Sequence, residues 1–238
     1  MKKRAAYLFV LQMGARITAL LRLLSCLLLL AAGTQAHAAD GLVAWWRFDD
    51  QTAMDSAGGV ADVIEGNHKF MPAGVRGDSL RFDGFTTLVR RNAAKVPDLS
   101  KGFTLQGWIA LAAYSWNWTP ILAQRDGETR GYSFGIDSTG HFGLQLAADF
   151  RRTDCIATNV LKLKTWYYPG VTYDPSFGVR LFLNGQPAGS FPVENRLSFA
   201  REIDLHIGRN HEKMVPAQLV RDWAKVPSWW SLTACLTR

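Results

Sequence analysis

From Leu42 onward, apolar and polar residues alternate with a period of two, and turn residues interrupt the alternation every few positions. Short alternating runs bounded by Gly, Asp, Asn or Pro are typical of β-strands. No run of ten residues with a helical period precedes residue 213, so the pattern predicts an all-β sandwich or barrel. We predict strands at positions 42–48, 61–64, 79–82, 86–90, 103–111, 120–124, 132–137, 142–147, 155–163, 165–173, 179–183, 186–193 and 203–207.

Turn chemistry supports this division of the chain. Asn184-Gly185 is the strongest hairpin signal, because both residues tolerate the positive φ of a type I′ turn. Residues 137–140 (Asp-Ser-Thr-Gly) predict a second hairpin, and residues 83–84 (Asp-Gly) a third turn. Pro169 falls inside a predicted strand and has no amide hydrogen, so we expect it at a sheet edge or a bulge.

The first 38 residues have the pattern of a secretory signal peptide. A basic start is followed by an apolar run at 23–32 and by Ala36-His37-Ala38, which predicts cleavage after Ala38 and export to the periplasm or beyond. A membrane anchor is the alternative. The apolar run is about half of the roughly 20 residues that a spanning helix needs, so we expect no membrane attachment after cleavage.

Export changes how the charge is interpreted. The whole chain has 27 basic and 20 acidic residues, but five basic residues lie in the signal, which leaves 22 against 20 and a net charge of +2. This balance excludes a basic footprint for nucleic acid. Cys155 and Cys235 are the only cysteines after residue 38, so the chain is not a disulfide-rich scaffold.

Three ordered segments stand out: residues 77–84 (GDSLRFDG), 103–108 (FTLQGW) and 171–174 (VTYD). They resemble the G-x-A-L-x-F-D-G, F-T-[VIL]-x-x-W and V-T-Y-D motifs of the laminin-G-like, concanavalin A-like jelly-roll family. The resemblance covers about residues 41–210. It implies a β-sandwich of two antiparallel sheets, with the domain at 39–212. Trp108 ends the second motif, Trp45 opens the family-like segment Trp45-x-x-Phe48-Asp49, and Trp166 precedes the strand that ends in VTYD. We expect all three tryptophans in the core.

The end of the chain departs from the family. Residues 213–238 form an atypical tail that lacks the closing F-D-G…D-E-V strand. Codons for residues 231–238 can be chosen so that the same DNA, read in a shifted frame, encodes this missing motif. We therefore hypothesise that a frameshift truncated the gene. The hypothesis fails if the DNA sequence has a stop codon in the shifted frame directly after this segment. A missing strand would leave the first strand with an unpaired edge.

An aromatic loop is the candidate ligand site. Tyr114, Trp116 and Trp118 are closely spaced, and exposed Trp and Tyr rings stack on sugars, although the same rings also fill cores and interfaces. The resemblance therefore favours a secreted, non-catalytic binding module for carbohydrate, accessory to a larger protein such as a glycoside hydrolase. The alternative is an inert spacer that packs on a neighbouring catalytic domain.

Catalysis and metal binding have weaker support in the sequence. Residues 202–207 (EIDLHI) resemble the E-I-D-x-x-E strand of family 16 glycoside hydrolases, but Ile207 replaces the last Glu, so we assign no catalytic residue. We expect no cofactor. Calcium is the one metal considered, because Asp49, Asp50, Asp55 and Asp83 could supply oxygens from turns, where Asp more often caps its own backbone.

Overall fold

The computed structural model describes residues 41–209, except Ala73, Trp116, Glu194 and Asn195, together with the backbone of residues 230–237. All of them belong to one compact unit, residues 39–238. The predicted signal peptide at 1–38 lies outside the described residues, as do residues 210–229.

The described residues are almost entirely strands, with one turn of 3₁₀ helix at Ala93–Lys95. In chain order the strands are β1 (Leu42–Trp46), β2 (Val63–Glu65), β3 (Lys69–Met71), β4 (Ser79–Phe82), β5 (Leu88–Arg91), β6 (Phe103–Leu111), β7 (Thr119–Asp126), β8 (Arg130–Ile136), β9 (His141–Ala148), β10 (Arg151–Val160), β11 (Trp166–Tyr167), β12 (Pro169–Asp174), β13 (Gly178–Leu183), β14 (Gln186–Phe191), β15 (Leu205–Ile207) and β16 (Trp230–Thr237).

These strands form two antiparallel sheets, which confirms the predicted jelly-roll sandwich. The nine-stranded sheet has the order β14-β13-β12-β6-β16-β4-β3, with β1 also paired to β16 and β11 to β6. The seven-stranded sheet has the order β10-β9-β8-β7-β15-β5-β2. No helix within the described part of the chain is long and apolar enough to cross a membrane.

The core lies between the two sheets and follows from the period-two pattern. In β6, Phe103, Leu105, Ile109 and Leu111 are all buried, and their neighbours in sequence are half-buried. The Phe103 ring contacts Tyr132 of the opposite sheet, with 4.9 Å between ring centroids. Alternate positions of each strand therefore face either the core or the outer surface of the sandwich.

The predicted turns are confirmed. Asn184 and Gly185 have φ values of 51° and 78° and connect β13 to β14. Between β8 and β9, the Asp137 carboxylate accepts hydrogen bonds from the amides of Thr139 and His141, and Gly140 has a φ of 92°. The short strand β3 was not predicted, because its three residues carry too little pattern.

The expected position of Pro169 is wrong. It lies in neither an edge strand nor a bulge, because β12 is flanked by β13 and β6. Tyr167 pairs with Ile109 and Gly170 with Gln106, so the register across the proline is unbroken. The missing amide hydrogen instead interrupts pairing with β6 locally and divides the predicted strand 165–173 into β11 and β12.

The unpaired edge expected for the first strand is also wrong. Although the tail lacks the family motif, Trp230–Thr237 forms β16, which lies between β6 and β1. Thr237 pairs with Leu42 and Thr104, and Ala234 pairs with Trp46 and Gly107. This tail therefore supplies the closing strand, while the frameshift hypothesis stays a prediction about the gene.

Candidate functional site

Aromatic side chains cluster on the outer face of the nine-stranded sheet, the face turned away from the core. We call this set the aromatic face. It consists of Trp45 on β1, Trp108 on β6, Trp166 on β11, Tyr168 between β11 and β12, and Phe182 on β13, all of them half-buried.

The expectation that Trp45, Trp108 and Trp166 lie in the core is therefore wrong. Trp46, the neighbour of Trp45, is the fully buried residue, and Tyr167, the neighbour of Trp166, packs against the core. Trp108 lies on the opposite side of β6 from the buried Phe103, Leu105, Ile109 and Leu111. Because adjacent strand residues point to opposite faces, the three tryptophans face outward.

Trp108 and Tyr168 form the centre of the aromatic face. Their ring centroids are 5.0 Å apart with an interplanar angle of 41°. The Tyr168 amide donates to Asn184 Oδ1 at 2.8 Å, and the Asn184 amide donates to the Tyr168 carbonyl at 2.9 Å. The predicted Asn-Gly hairpin thus holds Tyr168 in place where Pro169 interrupts the ladder.

Trp45 lies on the far side of β16 from this pair. Cys235 of β16 pairs with both Trp45 and Gln106, which places Trp45 two strands from β6. The Arg47 guanidinium lies 5.2 Å from the centroid of the Trp45 ring, a cation–π distance. The Trp45 amide donates to Asp55 Oδ1 at 2.7 Å.

A buried ion cluster fixes Asp55 and therefore the backbone of Trp45. Arg91 Nη2 donates to Asp55 Oδ2 at 3.0 Å and to Asp62 Oδ2 at 2.7 Å. The Trp46 indole also donates to Asp62 Oδ2, at 2.7 Å, and the Arg91 guanidinium lies 4.6 Å from the Trp46 ring centroid. Buried charges need such partners, because an unpaired one is very costly.

Uncharged polar groups continue the aromatic face along β6 and β12. Gln106 is half-buried, and the hydroxyls of Thr104 and Thr172 are 3.0 Å apart. Gly170 pairs with Gln106 on one side and with Phe182 on the other, so no side chain separates these two residues in this row of the sheet. Amide and hydroxyl groups both donate and accept hydrogen bonds, so this surface can bind polar groups of a ligand.

The structure places two members of the predicted aromatic loop beside the seven-stranded sheet. The Tyr114 hydroxyl donates to the Leu161 carbonyl at 2.9 Å, and its ring packs against the core. The Trp118 indole donates to Ser133 Oγ at 2.9 Å, and its ring lies so close to Gly135 that an added Cβ would be 2.9 Å away. Trp116 lies outside the described residues, so a three-residue site stays a prediction.

The carboxylates considered for calcium have other contacts. Asp49 binds Arg47 through a salt bridge of 2.7 Å, Asp50 accepts from the Thr52 amide, and Asp55 belongs to the ion cluster. Among the described residues, no group of three or more His, Cys, Asp and Glu side chains could hold a metal ion.

Asp83 shows the turn-capping role directly. Burial alone would raise the pKa of its carboxyl. Hydrogen bonds from the Thr86 hydroxyl and from the amides of Phe85, Thr86 and Thr87 outweigh burial and lower the pKa below its usual value. They stabilise the turn between β4 and β5.

The hydrolase-like motif does not form one strand. β15 contains only Leu205–Ile207, so Glu202 and Asp204 precede it. Glu202 pairs with Arg130, and Asp204 pairs with Arg90 at 3.4 Å and accepts from the Ala93 amide. The two carboxylates therefore have separate partners, which does not match the strand-borne carboxylate pair of a retaining hydrolase.

Comparisons with known proteins agree with the fold. The sequence model of a family described as the concanavalin A-like lectin/glucanases superfamily matches residues 83–219, more than half of the chain. No curated relative matches by sequence.

Solved structures of similar fold include two binding domains and one domain of an arabinanase. The binding domain of Paraclostridial mosquitocidal protein 1 has a TM-score of 0.65 and 13% identity, with 83% of this chain and 49% of that chain covered. Domain 4 of AbnA, a GH43 extracellular arabinanase from Geobacillus stearothermophilus solved with arabinotriose, has a TM-score of 0.63 and 16% identity, with 83% and 92% covered. The binding domain of botulinum neurotoxin DC with SialylT has a TM-score of 0.60 and 16% identity, with 83% and 47% covered. This chain thus spans about half the length of the two toxin domains.

Proposed function

Because the chain belongs to the concanavalin A-like lectin/glucanases superfamily, we propose that it is a non-catalytic carbohydrate-binding module. Exported through its N-terminal segment, it would serve as an accessory to a larger secreted protein such as a glycoside hydrolase. Export predicts that the mature protein begins at Ala39. N-terminal sequencing that finds residue 1 on the exported protein would count against it.

The observation that carries this proposal is the aromatic face. Trp108 and Tyr168 lie in ring contact on an outer sheet surface, beside the amide of Gln106 and the hydroxyls of Thr104 and Thr172. Sugars combine an apolar ring face with peripheral hydroxyls, and aromatic rings with an adjacent polar rim complement both. The arabinotriose complex of a domain with a similar fold supports the same ligand class.

The aromatic face supports the proposal better than the predicted loop does. The hydrogen-bonding groups of Tyr114 and Trp118 already have protein partners, and the Trp118 ring covers Gly135. Each of these two rings therefore has at least one side occupied by the protein itself.

The second candidate function is a spacer that packs through the aromatic face on a neighbouring domain. The observation that favours it is the half-buried state of five large rings on one sheet, because apolar patches also mark protein interfaces. A spacer would bind no free sugar.

Affinity electrophoresis of the purified full chain tests the proposal. The gels would contain arabinan, xylan, cellulose derivatives or galactan, with a polysaccharide-free gel as the reference and bovine serum albumin as the non-binding mobility standard. We expect retardation in at least one neutral polysaccharide. Unchanged mobility in all of them would reject carbohydrate binding and leave the spacer.

A further inference from the structure

Gly170 is a glycine that its own backbone does not require. Its φ is not in the left-handed region, and a Cβ built there lies 3.6 Å from Gln106 Cβ, 3.8 Å from the Leu105 carbonyl oxygen and 3.9 Å from Phe182 Cβ. These are ordinary van der Waals contacts. By contrast, Gly178 in the same sheet has a φ of 83°, and its added Cβ would lie 2.2 Å from the Phe191 carbonyl oxygen.

A side chain at Gly170 is therefore possible but absent. Glycine weakens a strand, because it loses more conformational freedom on folding and contributes no packing. What glycine provides instead is the space that a side chain would occupy. That gap is bounded across the sheet by Phe182 and Gln106, and along the chain by Tyr168 and Thr172, with Gly170 itself buried at its base.

We propose that Gly170 forms the floor of a subsite in which one ring of a neutral, linear polysaccharide lies between Phe182, Tyr168 and Gln106. This inference rests on the proposed function and specifies its site and ligand class. The ring would stack on Tyr168 or Phe182, and its hydroxyls would bond with the Gln106 amide and the Thr172 hydroxyl.

The rows beside the gap define the ligand as neutral and extended. Along β12 and β11 the outward positions are Trp166, Tyr168, Gly170 and Thr172, and along β6 they are Ala110, Trp108, Gln106 and Thr104. None of these eight residues carries a charge. The nearest charged neighbour across the sheet, Arg180, pairs with Thr172, and its guanidinium lies 5.3 Å from the centroid of the Phe177 ring, at the opposite end of β13 from Phe182. Strand residues rise about 3.4 Å each, so these rows extend about 20 Å, enough for several sugar units parallel to the strands.

Filling the gap without disturbing the fold tests the inference. Gly170→Ala and Gly170→Leu are compared with Ser190→Leu, which adds an equally large apolar side chain at an exposed position of β14 in the same sheet. Calorimetric titrations would use arabinotriose, xylotetraose and cellotetraose as neutral probes and tetragalacturonate as the charged one. Thermal unfolding of each variant reports its fold.

We expect Gly170→Ala to unfold at or above the wild-type temperature and to bind the best neutral probe about tenfold more weakly, with Gly170→Leu weaker still. Ser190→Leu should bind as wild type does, and tetragalacturonate should bind less well than neutral probes. Should Gly170→Leu fail to fold, Gly170→Ala decides.

Two results would overturn the inference while leaving carbohydrate binding intact. One is wild-type affinity in folded Gly170 variants, which would place the sugar elsewhere. The other is tighter binding of tetragalacturonate than of any neutral probe. Absence of binding by the wild type to every probe and polysaccharide would instead reject the proposed function, and this subsite with it.

Discussion

Replacing Arg91 with methionine tests the buried ion cluster that positions the backbone of Trp45. The Arg91 side chain is 1% exposed, and those of Asp55 and Asp62 are 0% and 2% exposed. Methionine has a long apolar side chain but no charge, so two carboxylates would stay buried without a countercharge. Breaking a buried ion pair by removing one partner costs about 3–5 kcal/mol of unfolding free energy.

The preceding residue provides the matched control. The Arg90 side chain is 38% exposed and lies on the opposite face of β5, where it pairs with Glu65 at 2.7 Å and Asp204 at 3.4 Å. Exposed ion pairs contribute about 0–1 kcal/mol, because water and salt screen them. Arg90→Met should therefore leave stability nearly unchanged.

Urea and thermal unfolding of both variants measure the difference. For a domain of this size 1 kcal/mol corresponds to about 2–4 °C, so Arg91→Met should lower the unfolding temperature by about 6–20 °C. Equal effects of the two substitutions would show that burial of the charges does not set their contribution to stability. A loss of about 1 kcal/mol or less in Arg91→Met would refute it as well.

Two further predictions concern ionisable groups. Burial, together with the charge of Asp154, raises the pKa of Cys155 to about 12. At pH 8 the Cys155 thiol of the native protein should therefore resist iodoacetamide and react only after unfolding. Rapid labelling of the native thiol, mapped by mass spectrometry, would contradict this. The pKa of Asp83 is lower in the folded protein than its value of about 4 in the unfolded chain, so the ionised carboxylate stabilises the fold above about pH 4. This stabilisation is lost as the pH falls through the lower pKa of the folded state. The difference in unfolding free energy between wild type and Asp83→Asn should therefore shrink in acid, and a constant difference from pH 7 to pH 2 would show that the charge is not involved.

Strands and turns were largely predictable because their signals are local. The bounds of β6 follow from the alternation of 103–111, and the Asn184-Gly185 turn follows from the φ preferences of two residues. β16 was missed because a family motif was sought in a segment that lacks it. The sequence there, WSLTACLT, alternates apolar and polar residues, which was the available signal.

The aromatic face was harder to predict because it depends on which side of each strand meets the core. Trp45 and Trp46 are adjacent and equally apolar, and pairing with partners distant in the chain decides which one is buried. β6 carried a usable signal. Trp108 shares its side of the strand with Thr104 and Gln106, whereas the opposite side has four large apolar residues, so Trp108 belongs to the more polar face.

If carbohydrate binds at the aromatic face, Trp108→Ala should lose affinity for it. Calorimetric titration would use the neutral oligosaccharide that the wild type binds best, with Phe177→Ala and Trp118→Ala as comparisons. Phe177 is 65% exposed on a hairpin of the same sheet, and Trp118 belongs to the predicted loop. We predict that Trp108→Ala binds about tenfold more weakly or worse, while Phe177→Ala matches wild type. Wild-type affinity in folded Trp108→Ala, with loss of binding in Trp118→Ala, would instead place the site at the predicted loop.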